Sequence, residues 1–283
     1  MRLARFRPVD RPGSPALLGV VSEDKITELV GVDGDSDLGV LAALEADSDY
    51  ERGLERALPD VGLLAPIKRP PKFLAIGLNY AAHVDETGRE RPEFPVFFNK
   101  QSTCVNGPYA PVVIPSVSEM VDYEGELGVV IGRSARNVSA DDAAGVIAGY
   151  LVVNDVSARD WQYRAPTWTL GKSFDSHGPI GPWLTTSDEV PDPQSLRLRT
   201  FVNDELRQDA PTSEMLYTCF EQVAVLSQVF TLEVGDVIAT GTPSGVGMAM
   251  SPAQFLKPGD VVRIEIDGVG TIENRFVAEG DDA

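Results

Sequence analysis

Cysteine and histidine are scarce in this chain, and their scarcity excludes several classes of protein. The 283 residues include two cysteines, Cys104 and Cys219, and two histidines, His83 and His177. Two cysteines that lie far apart in sequence supply neither a disulfide framework nor a cysteine-rich zinc site. Two histidines likewise exclude a histidine-rich metal site.

Basic residues and long apolar runs are also few. The chain has 24 Lys and Arg residues against 43 Asp and Glu residues, which gives a net charge of −19 and a pI of about 4.4. A negative field of this strength repels nucleic acids and anionic membranes, so we expect neither as a partner. Solubility, or an acidic proteome, is the simplest explanation of the acidity. The sequence shows no membrane-spanning run and no secretory leader pattern, and we expect a cytoplasmic enzyme.

Two glycine-containing segments resemble nucleotide-binding motifs, but each lacks a required feature. Gly171-Lys172-Ser173 has Pro166 where a phosphate-binding loop needs a glycine. The segment 241–247 is glycine-rich but lacks the dinucleotide-binding spacing. The nucleophile motif Gly-x-Ser-x-Gly is absent from the sequence. Neither nucleotide binding nor that serine chemistry is therefore indicated.

Hydrophobic patterning predicts many strands and few helices. Strands are predicted at 2–6, 16–21, 73–78, 150–154 and 261–266, the last of which turns back through Asp267-Gly268. Helices are predicted at 38–58, from Ser139 to about Tyr150, and from Ser213 to Phe230. The proline-rich segment 65–72 predicts a linker between a small N-terminal α+β domain, residues 1–68, and a larger domain, residues 69–283. The predicted fold class is a mixed, β-rich α/β roll or barrel-like sandwich.

Two carboxylates two residues apart lead into an apolar, strand-like segment that ends at Gly132. Alternate strand residues share a face, so Glu124 and Glu126 would place like charges side by side at the edge of a buried sheet. Asp155 follows another apolar run and supplies a third carboxylate. Each acid alone is more simply a solvated or ion-paired group. Together on apolar strands they predict a site for Mg²⁺ or Mn²⁺, which prefer oxygen ligands.

Two further sets of residues could supply acid–base chemistry and positive charge. His83 and Glu86 have the spacing of neighbours on one helical turn, so Glu86 could orient His83 and raise its basicity. A surface ion pair at a helix start has the same spacing. Lys172 has apolar neighbours and, if partly buried, needs an anion nearby. The alternative is a lysine that extends its ammonium into solvent.

Five motifs, in this order, resemble the fumarylacetoacetate hydrolase family: 77–83, 123–132, 154–160, 171–175 and 241–247. The resemblance covers residues of about 70–275, and the opening segment is similar to the small N-terminal domain of bacterial members. It implies a β-rich roll, a bound Mg²⁺ or Mn²⁺ ion, and a homodimer. Ser176 is a departure, because the family often has threonine there, but a hydroxyl is retained.

The resemblance also implies roles for individual residues. It implies metal ligands at Glu124, Glu126 and Asp155, and a water-activating pair formed by His83 and Glu86. It implies that the substrate site is lined by Arg159, Gln162, Lys172 and Thr242. The segment 248–257 is similar to a sub-branch that hydrolyses 2,4-diketo-3-deoxy sugar acids.

The expected reaction is hydrolysis of a carbon–carbon bond in a 2,4-dioxo acid, such as an acylpyruvate, to pyruvate or a related 2-keto acid and a carboxylic acid. Lys172 would help to hold the enolate, and the group beyond C4 would lie against the loop 87–97 and the segment 161–168. The same chemistry would serve oxaloacetate decarboxylation or another 2-keto acid lyase or isomerase. Retention of both His83 and Glu86 favours hydrolysis. A non-catalytic metal-binding scaffold is the alternative of another class.

Overall fold

The computed structural model describes residues 1–45 and 50–281. That part of the chain contains 19 strands: β1 Arg2–Pro8, β2 Leu17–Ser22, β3 Lys25–Leu29, β4 Arg52–Ala57, β5 Val61–Leu64, β6 Phe73–Gly77, β7 Val96–Lys100, β8 Val105–Asn106, β9 Val112–Ile114, β10 Val121–Asp122, β11 Gly125–Ile131, β12 Ile147–Asn154, β13 Ser157–Ala158, β14 Gly178–Thr186, β15 Arg197–Val202, β16 Glu205–Pro211, β17 Val237–Ala239, β18 Val261–Ile266 and β19 Gly270–Ala278. The α-helices of the same residues are α1 Gly39–Glu45, α2 Ala81–Glu86, α3 Arg159–Gln162, α4 Thr169–Lys172 and α5 Cys219–Val229. The β-rich, mixed fold class predicted from the sequence is confirmed.

Two large sheets organise these strands. The first has 12 strands, in the order β4-β3-β2-β1-β14-β12-β11-β17-β6-β7, with β5 beside β1 and β8 beside β14. The second has five strands, in the order β16-β15-β18-β19-β9, and β10 pairs with β13 separately. Most pairs are antiparallel, but β17 runs parallel to β6. Mixed sheets of this kind distinguish the fold from a doubly wound parallel sheet.

Strand β11 shows how the core is divided between the two faces of the large sheet. Leu127, Val129 and Ile131 join a cluster with residues of β18, β19 and α5. Val130, between them, joins a second cluster on the opposite face with residues of β1, β2 and α1. Alternate side chains of a strand point to opposite faces, so a strand covered on both sides is apolar throughout. The main core therefore lies between the two sheets.

The N-terminal segment is continuous with the large sheet. Strand β1 pairs with β14 through Arg2 opposite Thr185 and Leu3 opposite Leu184. A small apolar cluster lies among β1, β2, β3 and β5, and Leu3 belongs to the larger cluster shared with the rest of the chain. The division of the chain into two domains, residues 1–68 and 69–283, remains a prediction.

Two predicted helices are wrong over most of the residues that the structure describes in them. The helix predicted at 38–58 is helical only in α1, since Arg52–Ala57 is a strand paired with β3, and residues 46–49 lie outside the described part. The helix predicted from Ser139 is only a 3₁₀ turn, Ala143–Val146, followed by strand β12. The Ser139 hydroxyl does accept a hydrogen bond from the Asp142 N–H at 3.2 Å. The predicted capping contact therefore forms, but no α-helix follows it. In both segments pairing with a neighbouring strand outweighs local helix propensity.

The other predicted elements agree more closely with the structure. The strands predicted at 2–6, 16–21, 73–78 and 150–154 correspond to β1, β2, β6 and the end of β12, and β18 and β19 form the predicted hairpin. The helix predicted from Ser213 begins instead at Cys219, where Thr218 and Glu221 form a capping box. Among the described residues there is no helix with the length and apolar character to cross a membrane.

Candidate metal centre and active site

Adjacent strands bring three carboxylates together at one edge of the large sheet. Glu124 immediately precedes β11, Glu126 is within it, and Asp155 immediately follows β12. Gly125 lies opposite Asn154 in the antiparallel pair, and the Asp155 N–H donates to the Glu124 carbonyl at 2.9 Å. Oxygens of the three side chains lie within 4.8 Å of one another, and all three residues are buried. Hard divalent cations bind such a set of oxygens.

The electrostatics of the cluster are compatible with a bound cation. Burial, followed by the charges of Asp155 and Glu124, raises the pKa of Glu126 well above its usual value. Burial alone would also raise the pKa of Glu124, but Lys172 and then Arg159 lower it below its usual value. Lys172 and Arg159 thus stabilise the ionised form of Glu124, whereas the surroundings of Glu126 favour its protonated form. A divalent ion bound here would stabilise the ionised form of all three carboxylates, so these residues fit a metal.

Lys172 is buried and bound to the acidic cluster. Its ammonium lies 2.6 Å from Oε2 of Glu124 and 2.7 Å from Oδ2 of Asp155, and it is 2% exposed. Lys172 is the last residue of helix α4. A Cβ at residue 171 would lie only 2.2 Å from the Gln162 backbone nitrogen, so α4 packs this closely on α3 only because residue 171 is glycine. The alternative of a lysine extended into solvent is therefore wrong.

Lys100 is a second buried lysine at the cluster, and sequence reasoning missed it. Its ammonium lies 2.6 Å from Oδ1 of Asp155 and also donates to the Lys172 carbonyl. Lys100 is the last residue of β7, two positions after the buried Phe98. A lysine at an inward-facing strand position was the signal that could have identified it.

Arg159 connects the cluster to Asp122, a carboxylate that sequence reasoning also missed. Arg159 Nε and Nη2 donate to Asp122 Oδ2 at 2.9 and 2.8 Å, and Nη1 donates to Glu124 Oε1 at 2.6 Å. Gln162 Oε1 accepts a further bond from Nη1 at 3.0 Å. Both ends of the Asp122–Arg159 pair are buried. The spacing of Asp122 two residues before Glu124 was the available signal.

His83 and Glu86 form the expected pair within helix α2. His83 Nδ1 lies 2.7 Å from Glu86 Oε1, and His83 is 6% exposed. Because an ionised carboxylate only accepts hydrogen bonds, Nδ1 carries the proton in the neutral ring and Nε2 is the basic atom. The other oxygen of Glu86 accepts from the Gly245 N–H at 2.8 Å, so the glycine-rich loop holds the pair in place.

The expected substrate-lining residues face one cavity. The four residues expected to line the substrate site, Arg159, Gln162, Lys172 and Thr242, all line this cavity. Glu124, Glu126 and His83 line it as well. The Thr242 hydroxyl donates to the Gly125 carbonyl at 2.9 Å and accepts from Gln208 at 2.7 Å. Thr242 therefore supports β11 as well as lining the cavity. The assigned roles of all these residues remain predictions.

The remaining sequence features lie outside this cavity. Ser176 Oγ accepts from the Val113 N–H at 2.9 Å, which is a structural use of the retained hydroxyl. His177 is fully buried, and its Nε2 donates to the Val113 carbonyl at 3.0 Å. Cys104 and Cys219 are both buried and free. None of these four residues is among those that line the cavity.

Comparison with known proteins relates this architecture to a family of enzymes. The mitochondrial oxaloacetate tautomerase Fahd2a of Rattus norvegicus is 43% identical over 232 residues, which covers 80% of this chain and 74% of that protein. The structure of 5-carboxymethyl-2-hydroxymuconate delta-isomerase from Mycobacterium smegmatis is 37% identical, with a TM-score of 0.81 over 99% of this chain and 100% of that one. Maleylpyruvate hydrolase from Sphingobium sp. SYK-6, solved with manganese(II) and pyruvate, is 34% identical, with a TM-score of 0.78 over 98% and 99% of the two chains.

The match to a family extends over most of the chain. Residues 72–277 match the family described as Fumarylacetoacetate (FAA) hydrolase C-terminal. They contain all five sequence motifs, the acidic cluster and the His83–Glu86 pair. The resemblance stated from the motifs is confirmed, and the chain belongs to the fumarylacetoacetate hydrolase family.

Proposed function

We propose that this protein is a metal-dependent enzyme that hydrolyses a carbon–carbon bond in a 2,4-dioxo acid, giving pyruvate or a related 2-oxo acid and a carboxylic acid. The observation that carries the proposal is the position of the His83–Glu86 pair. His83 lines the same cavity as Glu124 and Glu126, so a base stands beside a site for a metal. A scaffold that uses a metal only for stability does not need such a base.

The proposed metal ligands are Glu124, Glu126 and Asp155, and the proposed ion is Mg²⁺ or Mn²⁺. Carboxylate oxygens suit both ions, and the manganese in the Sphingobium maleylpyruvate hydrolase structure supports the proposal. When bound, such an ion polarises the 2-oxo group of the substrate and stabilises negative charge on its oxygen. Lys100 and Lys172 offset the charge of Asp155 and keep it in place.

The reaction proposed for the chain's own residues is a general-base hydrolysis. His83 Nε2 removes a proton from water while Glu86 holds the ring, and the water oxygen attacks the C4 carbonyl. The tetrahedral carbon then releases the C3–C4 bond, and the electron pair moves to the enolate of the 2-oxo acid. Lys172 and Arg159 supply positive charge nearby. The proton held by His83 passes to C3 and completes the 2-oxo acid product.

Tautomerisation of oxaloacetate is a second candidate, favoured by the name of the Rattus relative. It needs only a proton moved between C3 and the oxygen on C2, and His83 could move it without an attacking water. Oxaloacetate decarboxylation would use the same site and release CO₂. Both are metal-assisted reactions of a small anionic 2-oxo acid.

One set of assays separates these reactions. The protein would be supplied with Mg²⁺ or Mn²⁺ and given 2,4-dioxopentanoate or oxaloacetate. Hydrolysis releases equal amounts of pyruvate and acetate from the first compound, decarboxylation releases CO₂ from the second, and tautomerisation changes only the enol absorbance. Hydrolysis is rejected if a range of 2,4-dioxo acids gives no 2-oxo acid product with either metal. Metal-dependent stabilisation without any turnover would support the scaffold alternative.

We also propose that the enzyme is a cytoplasmic homodimer, since the family resemblance implies two subunits. Light scattering of the purified protein would test this, and a monomeric mass would reject it. Proteolysis tests the proposed division at residues 68 and 69, since cleavage in the linker should precede cleavage within either domain.

A further inference from the structure

Arg89 differs from the other cations of the active-site cavity in the partners available to it. Three cations line the cavity: Arg89, Arg159 and Lys172. Arg159 and Lys172 are buried, and each binds two carboxylates. In residues 1–45 and 50–281, no carboxylate oxygen lies within 4.0 Å of an Arg89 side-chain nitrogen. Arg89 therefore brings a positive charge to the cavity that these residues do not neutralise.

Two aromatic rings hold Arg89 at this position. Its guanidinium carbon lies 5.4 Å from the centroid of Trp168 and 5.6 Å from that of Tyr163. Both rings line the same cavity. A guanidinium that stacks on aromatic faces keeps the N–H donors at its edges available, and those donors match the two oxygens of a carboxylate.

Trp168 is itself held in a restricted position. Its backbone φ is +61°, in the left-handed region that residues with a side chain rarely adopt. Its ring packs over Gly77, where a Cβ would lie 2.4 Å from the indole, and meets Phe98 edge-to-face at 5.5 Å. Backbone strain of this kind is concentrated at functional sites. The surrounding structure thus maintains the ring on which Arg89 rests.

The buried charges in and around the acidic cluster, counted with a divalent ion, leave a net positive charge that one anionic group of the substrate would neutralise. Four buried carboxylates, those of Asp122, Glu124, Glu126 and Asp155, meet three buried cations, those of Lys100, Arg159 and Lys172. With a divalent ion this group carries one excess positive charge, which the carboxylate of a 2-oxo acid would neutralise. A second carboxylate on the same substrate would need a cation elsewhere in the cavity.

We propose that Arg89 binds a second carboxylate at the far end of the substrate, so that the site prefers dicarboxylic 2-oxo acids to monocarboxylic ones of the same length. Arg89 lies between α2 and β7, in the region 87–97 whose last two residues begin β7, and its aromatic partners belong to the segment 161–168; both regions were expected to contact the group beyond C4. The placement of the reacting end at the acidic cluster rests on the proposed function. The selectivity itself is a property of binding and can be measured without turnover.

Calorimetric titration of the Mn²⁺-supplemented protein provides the binding test. The ligands are two matched pairs, 2-oxopentanoate with 2-oxoglutarate and 2-oxohexanoate with 2-oxoadipate, which lack the 4-oxo group needed for cleavage. For at least one pair, we expect the diacid to bind about 5-fold more tightly, the upper end of what an ion pair at an exposed arginine contributes. Arg89→Met should remove this preference and leave the affinity for the monoacid unchanged, and Arg89→Lys should retain part of it.

Arg91→Met is the matched control, because it removes the same charge two residues away. Arg91 pairs with Asp85 at 3.2 Å and is not among the cavity-lining residues. It should therefore keep the preference for the diacid. Equal affinities within both pairs for the wild type, or a preference that survives in Arg89→Met, would overturn the proposal. Equal losses for the monoacid and the diacid would also overturn it, since Arg89 would then only stabilise the loop.

Turnover of a second matched pair separates this proposal from the proposed reaction. The substrates are 2,4-dioxoheptanoate and 2,4-dioxoheptanedioate, and the readout is pyruvate. Selective binding of the diacids without pyruvate release rejects the hydrolysis but supports the assignment of Arg89. Pyruvate release from both substrates with the same kcat/KM, in the wild type and in Arg89→Met, supports hydrolysis and rejects the assignment.

Discussion

The ammonium of Lys100 lies 2.6 Å from Oδ1 of Asp155, and neither side chain is exposed to solvent. Lys172 takes the other oxygen of that carboxylate at 2.7 Å. Asp155 is therefore held from two sides by cations. Burial removes the hydration of both ions, and their mutual attraction offsets the lost hydration free energy only while both partners are present.

Removing Lys100 should destabilise the fold. Lys100→Met removes a positive charge that balances the buried negative charge of Asp155 and its acidic neighbours. We therefore expect the free energy of unfolding to fall by about 3–5 kcal/mol. Urea unfolding with and without Mn²⁺ would measure this, and the loss should be smaller with the ion. Lys68→Met, at an exposed side chain, should change stability by no more than about 0.5 kcal/mol. Equal effects of the two substitutions would contradict the role given to Lys100.

Metal binding should stabilise the protein through the acidic cluster. At a concentration of Mn²⁺ about 100 times its dissociation constant, the free energy of unfolding should rise by about 2.7 kcal/mol, because the ion binds the folded state. Glu126→Gln should abolish most of this increase, whereas Glu55→Gln, in an exposed ion pair, should preserve it. Thermal unfolding with increasing Mn²⁺ gives the readout. A full metal-dependent shift in Glu126→Gln would remove this residue from the set of ligands.

The His83–Glu86 pair should govern catalysis without governing metal affinity. His83→Gln should lower kcat by about 10²–10⁴-fold, the usual contribution of a general base. Glu86→Gln should have a smaller effect of the same kind, and the double variant should resemble His83→Gln because the two residues act as a unit. Steady-state rates and Mn²⁺ titrations should be measured on the same preparations. Strictly multiplicative losses in the double variant would show that the residues act separately.

Acid should weaken the fold partly through His177. Burial lowers the pKa of His177 to about 3, and its Nδ1 has no hydrogen-bond partner among the described residues. The unfolded chain then binds a proton below a pH of about 6.5 that the folded chain refuses, so stability falls as the pH falls from that value towards 3. Between pH 7.5 and pH 5 this contribution is about 2 kcal/mol.

The pH effect can be isolated by substitution. His177→Gln retains a donor for the Val113 carbonyl but cannot titrate. Denaturant unfolding at pH 7.5 and pH 5 should therefore show a smaller loss in the variant than in the wild type. Other carboxylates titrate in both proteins, so the difference between the two losses is the informative quantity. Identical losses would mean that His177 takes up its proton in the folded state.

The acidic cluster was predictable because its geometry follows from short-range rules. The alternation of strand side chains places Glu124 and Glu126 together, and the pairing of two consecutive apolar strands brings Asp155 beside them. The His83–Glu86 pair was predictable for the same reason, since it needs only one turn of helix. Lys100 and Asp122 have local signals, an inward-facing strand position and a spacing of two from Glu124, but their ion-pair partners lie 55 and 37 residues away in the chain, and only the tertiary structure shows those contacts.

The wrong helices have a related cause. Arg52–Ala57 and the start of β12 carry residues compatible with a helix, and only a neighbouring strand turns them into sheet. The pairing partner of a segment is a property of the tertiary structure, and no periodicity within the segment reports it. The predicted start of α5 was early because the decisive signal, the Thr218–Glu221 capping box, is a pair of side-chain contacts.

The amino-acid sequence by itself determined the family, the β-rich fold class and the residues that form the acidic cluster, because ordered motifs and strand alternation are local properties of the chain. Only the tertiary structure decided how the charges of that cluster are balanced. Burial makes each charge depend on its nearest partners, and those partners, Lys100, Asp122 and Arg159, come from separate elements. The structure also placed Arg89 on two aromatic rings of the same cavity, a contact between distant loops on which the proposed preference for dicarboxylic substrates depends.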